Sequence, residues 1–345
     1  MSRPTLAELG LHLPPLATAG VGGLPPLPGT VEAQRAHARG ALSRDELAHE
    51  LRRSAEHWVR VQEGLDLDIL VEPATPGEDL VCRYADALAG FAPGGLIRIY
   101  GNCYRRKPVI AGPVTWRAPI TVGAWQAVQA LTLRPVKATL TGPYTLMAWS
   151  FIEHYDSRAA ACLAIAGALR DEIEALVAAG ARIVQLDEPA LAERIDELPL
   201  AVEALRQAVD GVRAYVAVHT CREAVADGGI PALALPVDNV DVALTRTGRD
   251  PVADVARIPP ALHLSLGVVP AHGRDLPAAA DVAQRLRAVT ATRPPETLWV
   301  TPDCRLDRAT PEGAEARLAV LVEAVRAVRG AAPPADAAGE DLVDA

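Results

Sequence analysis

Residues 168–191 read ALRDEIEALVAAGARIVQLDEPAL. The first part is the end of a helix spanning 159–179, and the second is a short strand over 182–186 that opens into Asp187, Glu188 and Pro189. A strand this apolar, built from Val, Ile and Leu, suits a parallel sheet buried on both faces. A helix feeding such a strand is the repeating unit of α/β proteins, so the question becomes how often the unit recurs.

It recurs in both directions. Strand-like stretches lie at 17–21, 68–72, 136–141, 215–219, 240–245, 263–269 and 298–301. With 182–186 that makes eight. Helical stretches lie between most of them, at 43–64, 78–89 and 122–131, and the last covers 312–329. Ser43 with Glu46 three residues on is a helix-start signature. Two short extended pieces, 97–100 and 109–111, predict a small hairpin excursion after the second βα unit. Eight βα units in 345 residues predict an α/β fold of the (β/α)8 TIM-barrel type. An open doubly wound sheet is the alternative, but no GxGxxG follows the first strand, which weakens a dinucleotide-binding reading. The expected organisation is an N-terminal extension over 1–16, the barrel over 17–329, and a disordered Ala/Pro/acidic tail over 330–345.

Composition excludes several classes. A net charge of -9 argues against a general nucleic-acid surface. No apolar run reaches the length of a membrane span or resembles a signal peptide, so no membrane partner is expected and the cytoplasm is the default location. The five cysteines form an odd, sparse set that argues against a disulfide framework. Cys162, in AACLAIAG, is a packing residue by its surroundings.

In a barrel of this kind the chemistry sits at the C-terminal ends of the strands. His219 and Cys221 are two apart at one strand end, so both can point to the same side. Cys304 ends the last strand. One imidazole and two thiolates make a Zn2+ site with an open fourth position; chance placement of packing cysteines is the plainer alternative for HxC taken alone. Asp187 puts a carboxylate at the barrel mouth, suited to a substrate ammonium, whereas acidic residues here also cap the following helix. His272 follows the seventh strand in a polar loop, where a surface histidine is the plain reading. Trp149, in LMAWSF, is either core or a stacking platform. Arg105, Arg106 and Lys107 form a local basic cluster, either solvated or attractive to anions.

Four motifs resemble the catalytic domain of cobalamin-independent methionine synthases: LTGPYTLMAWSF (140–151), the opening stretch 168–191, HTC (219–221) and LWVTPDC (298–304). The resemblance runs from about Gly20 to Arg329 and covers one barrel, as in the short branch of the family; long members carry a second, N-terminal barrel. It implies that His219, Cys221 and Cys304 hold zinc, that Asp187 holds the amino group of homocysteine, and that Trp149 packs on the folate ring. It also implies that His272 manages protons at the leaving nitrogen. Gly22 and Gly23 fall in the family's Ile-Gly-Ser, which binds the amino acid's carboxylate, with Gly23 in place of the serine. Glu72 stands near an amino-acid-binding glutamate, in an alignment shifted by a residue or two. One departure concerns the metal: the family's fourth ligand, a glutamate, is replaced near Thr245 or Arg246, in DVALTRTGRD (241–250). A threonine is a poor zinc ligand and an arginine is none. Pro270 also replaces an acidic residue.

The function implied is zinc-dependent transfer of a methyl group from 5-methyltetrahydrofolate, with its glutamate tail, to homocysteine, giving methionine. The basic cluster at 105–107 could attract that tail. The substitutions keep two alternatives open: a related alkyltransferase using a corrinoid donor or another thiol, and a degenerate barrel that binds metal or metabolite without catalysis. Oligomeric state is not legible.

Overall fold

In a computed structural model of the chain, the described residues are 3–77, 79–100, 103–220, 235–245, 250–256, 258–273 and 275–330. Eight parallel strands form one sheet: β1 (Ala17–Thr18), β2 (Leu70–Val71), β3 (Val136–Thr141), β4 (Ile183–Asp187), β5 (Tyr215–His219), β6 (Asn239–Ala243), β7 (His263–Val269) and β8 (Leu298–Pro302). Each strand from β2 through β8 hydrogen-bonds to its sequence neighbours, and β8 pairs with β1. Parallel bridges Ala19 to Ile69 and Leu24 to Pro73 join the remaining edges. The sheet therefore closes on itself, and the barrel reading holds over the open-sheet alternative.

The strands are not apolar on both faces, as the sequence reading had them. They alternate. Val184, Leu186, Val216, Val218, Val240, Val242, Leu264 and Leu266 point outward and pack in the main core with the helices. Inward-facing residues grade from apolar to charged along the axis. At the N-terminal end, Ile183, Tyr215 and Trp299 join Ala17, Ala19 and Ile69 in a second cluster, capped by Leu11. Leu6, Leu9 and Leu13 pack on the same cluster, so residues before β1 cover the bottom of the barrel. Above that layer Lys137 Nζ meets Gln185 Oε1 at 2.5 Å, and the Ser265 hydroxyl donates to Asn239 Oδ1 at 2.7 Å. At the mouth stand Asp187, His219 and Asp241.

The outer layer holds α1 (Pro28–Ala38), α2 (Arg44–Leu65), α3 (Cys82–Ala87), α4 (Val122–Gln129), α5 (Pro143–Ala148), α6 (Arg158–Ala178), α7 (Leu198–Val209), α8 (Pro251–Ala256), α9 (Ala279–Thr290) and α10 (Pro311–Arg329). Helix α2 begins with the expected capping box: Ser43 accepts from the Glu46 amide, and Glu46 reaches back to the Ser43 amide. Helices α1 and α5 were not legible from periodicity, being short or weakly amphipathic.

The excursion exists, but its pairing differs from expectation. Leu96–Tyr100 pairs antiparallel with Cys103–Arg106, a partner immediately next in sequence. Val109–Thr115 pairs instead with Ala89–Ala92, and parallel with Phe151–Ile152. Each strand thus satisfies its backbone groups with the nearest available edge. No described helix is long and apolar enough to cross a membrane.

Candidate active site at the barrel mouth

The C-terminal ends of β1, β2, β3 and β8 surround a cavity of about 230 Å³. Its walls include Gly23, Glu72, Arg83, Thr139, Arg305 and Asp307. Gly23 and Glu72, two of the sequence candidates, therefore share one chamber. Gly22 lies beside it against Thr139, where an added Cβ would come 2.9 Å from Thr139 Cγ2.

Asp187 ends β4 and is 2% exposed. Gln185 Nε2 donates to its Oδ1 at 2.7 Å and also reaches the Val21 carbonyl at 2.8 Å. Its other oxygen faces Arg305 Nη1 at 3.4 Å. The carboxylate expected to meet a substrate ammonium thus already has a guanidinium beside it. Burial works against the charge on Arg305, but Asp187 and Asp307 outweigh it and raise its pKa. Lys137, deeper in the barrel, is pulled down by burial to about 8 despite the nearby carboxylates of Asp187 and Asp241.

Glu188, the next residue, faces the other way. It is buried and accepts from the Tyr144 and Thr145 amides at 3.0 and 2.7 Å and from the Thr145 hydroxyl at 2.6 Å. It ties the first turn of α5 to the end of β4. Glu188 thus caps a helix, but α5, which precedes it, rather than the following one the sequence suggested. Burial pushes the Glu188 carboxyl up to about 7.

His219 pairs in register with Asp187, one strand over. It is 3% exposed. Nδ1 lies 3.3 Å from Asp241 Oδ2. Both ring nitrogens are buried, and neither makes a full hydrogen bond among the described residues, Asp241 being the group nearest Nδ1. Burial opposes charge on this ring, but Asp241 offsets it and raises the His219 pKa. Burial likewise works against the Asp241 carboxylate, and His219 reverses the effect, holding it below its usual range. Asp241 is itself fixed by the Thr220 amide, 2.7 Å from Oδ1. A carboxylate behind one ring nitrogen and an empty hand on the other is the arrangement of metal-ligating histidines. Asp241 escaped the sequence reading, although an acidic residue inside the apolar alternation of NVDVA was the available signal.

Cys304 follows β8 and packs at the edge of the core. Its sulfur is disulfide-bonded, so a metal would take it only after reduction. Cys82 and Cys162 are free thiols, and Cys162 is fully buried among apolar residues as expected. Cys221 and Arg246 lie outside the described residues, and the described residues alone contain no complete three-donor metal group. Thr245, one of the two residues that could stand in place of the family's glutamate, donates its hydroxyl to Asp303 Oδ2 at 2.7 Å. The other Asp303 oxygen accepts from the Ala271 amide at 2.7 Å. Thr245 and Asp303 thereby tie the ends of β6, β7 and β8 together next to Cys304. The donors that are described are of kinds zinc takes: a buried imidazole with Asp241 behind it, and a cysteine at the end of another barrel strand, β8.

Two other candidates stand apart from the cavity. Trp149 closes α5 and is half-buried against the core. His272 is exposed on the loop after β7. That loop is strapped to α10 by Arg317, whose Nε and Nη2 donate to the Pro270 and Gly273 carbonyls at 2.8 and 2.6 Å. The residues of the basic cluster have partners of their own, and Arg105 also lines the cavity. Arg105 pairs with Asp79, Arg106 pairs with Asp86, and Lys107 Nζ lies 4.5 Å from the centre of the Phe151 ring.

Residues 16–327 match the model of the cobalamin-independent synthase catalytic domain. The chain is 34% identical over 333 residues to a 5-methyltetrahydropteroyltriglutamate–homocysteine methyltransferase of Mycolicibacterium paratuberculosis, covering 92% of this chain and 44% of that protein. It is 35% identical over 333 residues to the Caulobacter vibrioides enzyme of the same name, covering 92% and 43%. The chain thus spans less than half the length of the curated relatives it matches. Among solved structures, a B12-independent methionine synthase from a Shewanella species superposes with a TM-score of 0.81 at 20% identity, covering 92% of this chain and 98% of that one. A putative vitamin-B12-independent methionine synthase from Listeria monocytogenes gives 0.73 at 17% identity, covering 92% and 99%. At such identities these two structures speak to the fold.

Proposed function

The chain belongs to the family of the cobalamin-independent synthase catalytic domain, and from that premise we propose that it is a methyltransferase that moves a methyl group from a methyltetrahydropteroylglutamate to the thiol of homocysteine, yielding methionine. The observation that carries the reading is His219: a buried imidazole whose Nε2 lacks a partner, backed by Asp241 and set one strand from Asp187.

His219, Cys221 and Cys304 would hold zinc. Bound there, zinc would lower the pKa of a thiol from about 8.5 and keep it as a thiolate at neutral pH. The remaining work falls to the chain. Asp241 keeps the proton of His219 on Nδ1 and leaves Nε2 as a donor of its lone pair. Asp187 and Glu72 favour an ammonium at the cavity, which orients an amino-acid thiol. Trp149 offers an aromatic face to the pterin. As the acceptor sulfur bonds to the methyl carbon, the methyl–nitrogen bond breaks and its electron pair goes to nitrogen. His272 supplies the proton that makes this nitrogen a competent leaving group.

The test is methionine formation by the reduced, purified chain from homocysteine and 5-methyltetrahydropteroyltriglutamate. Turnover abolished by His219→Ala and strongly reduced by Asp187→Ala supports the reading. No methionine under these conditions sinks it. A second reading, another acceptor thiol, is favoured by one observation: Arg305 stands against Asp187 where an ammonium is expected. Parallel assays with thiols lacking the amino group decide between them. The corrinoid donor has no support among the relatives, whose names specify a methyltetrahydropteroyltriglutamate.

A further inference from the structure

Arg305 follows Cys304 on the loop after β8, and its side chain is 19% exposed. It enters the cavity between two carboxylates without a firm grip on either. Nη1 is 3.4 Å from Asp187 Oδ2, and Nε is 3.3 Å from Asp307 Oδ2. Both exceed the roughly 2.7–2.9 Å of a well-formed charge-assisted pair. Nη2 makes no hydrogen bond among the described residues and is turned toward Gly23.

Gly23 explains how that placement is possible. Its φ of +55° is one that side chains rarely adopt, and a Cβ built there would lie 2.3 Å from Arg305 Nη2. The guanidinium occupies the room that a side chain at position 23 would need. A side chain at 23 would have to displace the Arg305 guanidinium from this position.

The charges around the chamber complete the argument. Glu72, Asp187 and Asp307 all act on the Arg305 guanidinium, and of the arginines lining the cavity (Arg83, Arg105, Arg305 and Arg308) it is the one set against Asp187. Asp187 and Glu72 suit an ammonium. A carboxylate entering with that ammonium needs a donor that none of these acids supplies, and Arg305 presents a planar fork suited to one. The cavity volume, about 230 Å³, admits a small amino acid.

We propose that Arg305 reads the α-carboxylate of the amino-acid acceptor, taking over the contact that a side chain at position 23 cannot make here. The proposal rests on the methyl-transfer reading only in taking an α-amino acid as the ligand. It can be tested without metal or turnover. Isothermal titration of the purified full chain with L-methionine and with its decarboxylated counterpart, 3-(methylthio)propylamine, isolates the carboxylate. Wild type should bind methionine about 10–100-fold more tightly than the amine, the range expected for a charge-assisted contact. Arg305→Ala should lose most of that preference by weakening methionine alone, and Arg305→Lys should recover part of it, with thermal melts showing that both variants fold. An Arg305→Ala chain that keeps the preference, or weakens both ligands equally, overturns the proposal and leaves the methyl-transfer reading standing. Wild type that binds no methionine overturns the amino-acid site and the proposal with it.

Discussion

At the scale of single residues, the sequence shows which side chains reach the barrel mouth and hides the groups packed behind them. His219, Cys304, Asp187, Glu72 and Gly23 stand at strand ends, where a search of barrel termini finds them. Asp241 and Arg305 are one step further out. Asp241 lies within a strand rather than at its end, and only its register beside β5 shows that it backs His219. Arg305 is a loop residue whose importance depends on the space left by Gly23, a contact across 282 positions that no local pattern records. Asp241 yields a direct test. Asp241→Asn should keep the fold but weaken zinc binding about 10–100-fold, the usual cost of removing the carboxylate behind a ligating histidine. Competition with a chromophoric chelator measures it. Unchanged affinity would show that Asp241 does not orient the ring.

At the scale of elements, caps and straps decide where the mouth's side chains stand. The capping box of α2 was readable because it is local, three residues apart. The Glu188 tie between β4 and α5 was not, since its partners lie more than forty positions away. Its carboxyl rises from 4.5 unfolded to about 7 folded. The folded state therefore favours the protonated form. The stability this contributes is fully present below pH 4.5 and is lost as pH rises through 7. Relative to Glu188→Gln, wild type should lose up to about 3 kcal/mol between pH 4.5 and 8, at roughly 1.4 kcal/mol per unit. Denaturant titrations across that range check it, and a flat difference contradicts it. Arg317 acts on the His272 loop. Arg317→Gln leaves the Pro270 and Gly273 carbonyls without their donor and should cost about 1–3 kcal/mol. Turnover should fall more than the acceptor's KM changes, because the strap lies away from the cavity; equal effects on both would argue against a role through His272.

At the scale of the whole molecule, the count of βα units gave the architecture, and closure followed from the β1–β2 bridges. What the count could not show is the gradient inside the barrel, apolar at the bottom and charged at the mouth. That gradient separates stability from chemistry. Leu11 is buried in the lower cluster, so Leu11→Ala should cost about 2–5 kcal/mol in denaturant unfolding. Zinc affinity should be unchanged, because the two ends of the barrel share no contacts of this residue. A matching loss of zinc affinity would mean that the mouth depends on the plug.

The central claim, a zinc-held thiolate in this barrel mouth, is tested most directly by zinc K-edge X-ray absorption on the reduced chain, before and after homocysteine. The account predicts about one zinc per chain with nitrogen and sulfur ligands, and one additional sulfur at about 2.3 Å once homocysteine is present. Zinc that fails to bind, or a ligand shell that homocysteine leaves unchanged, would contradict it.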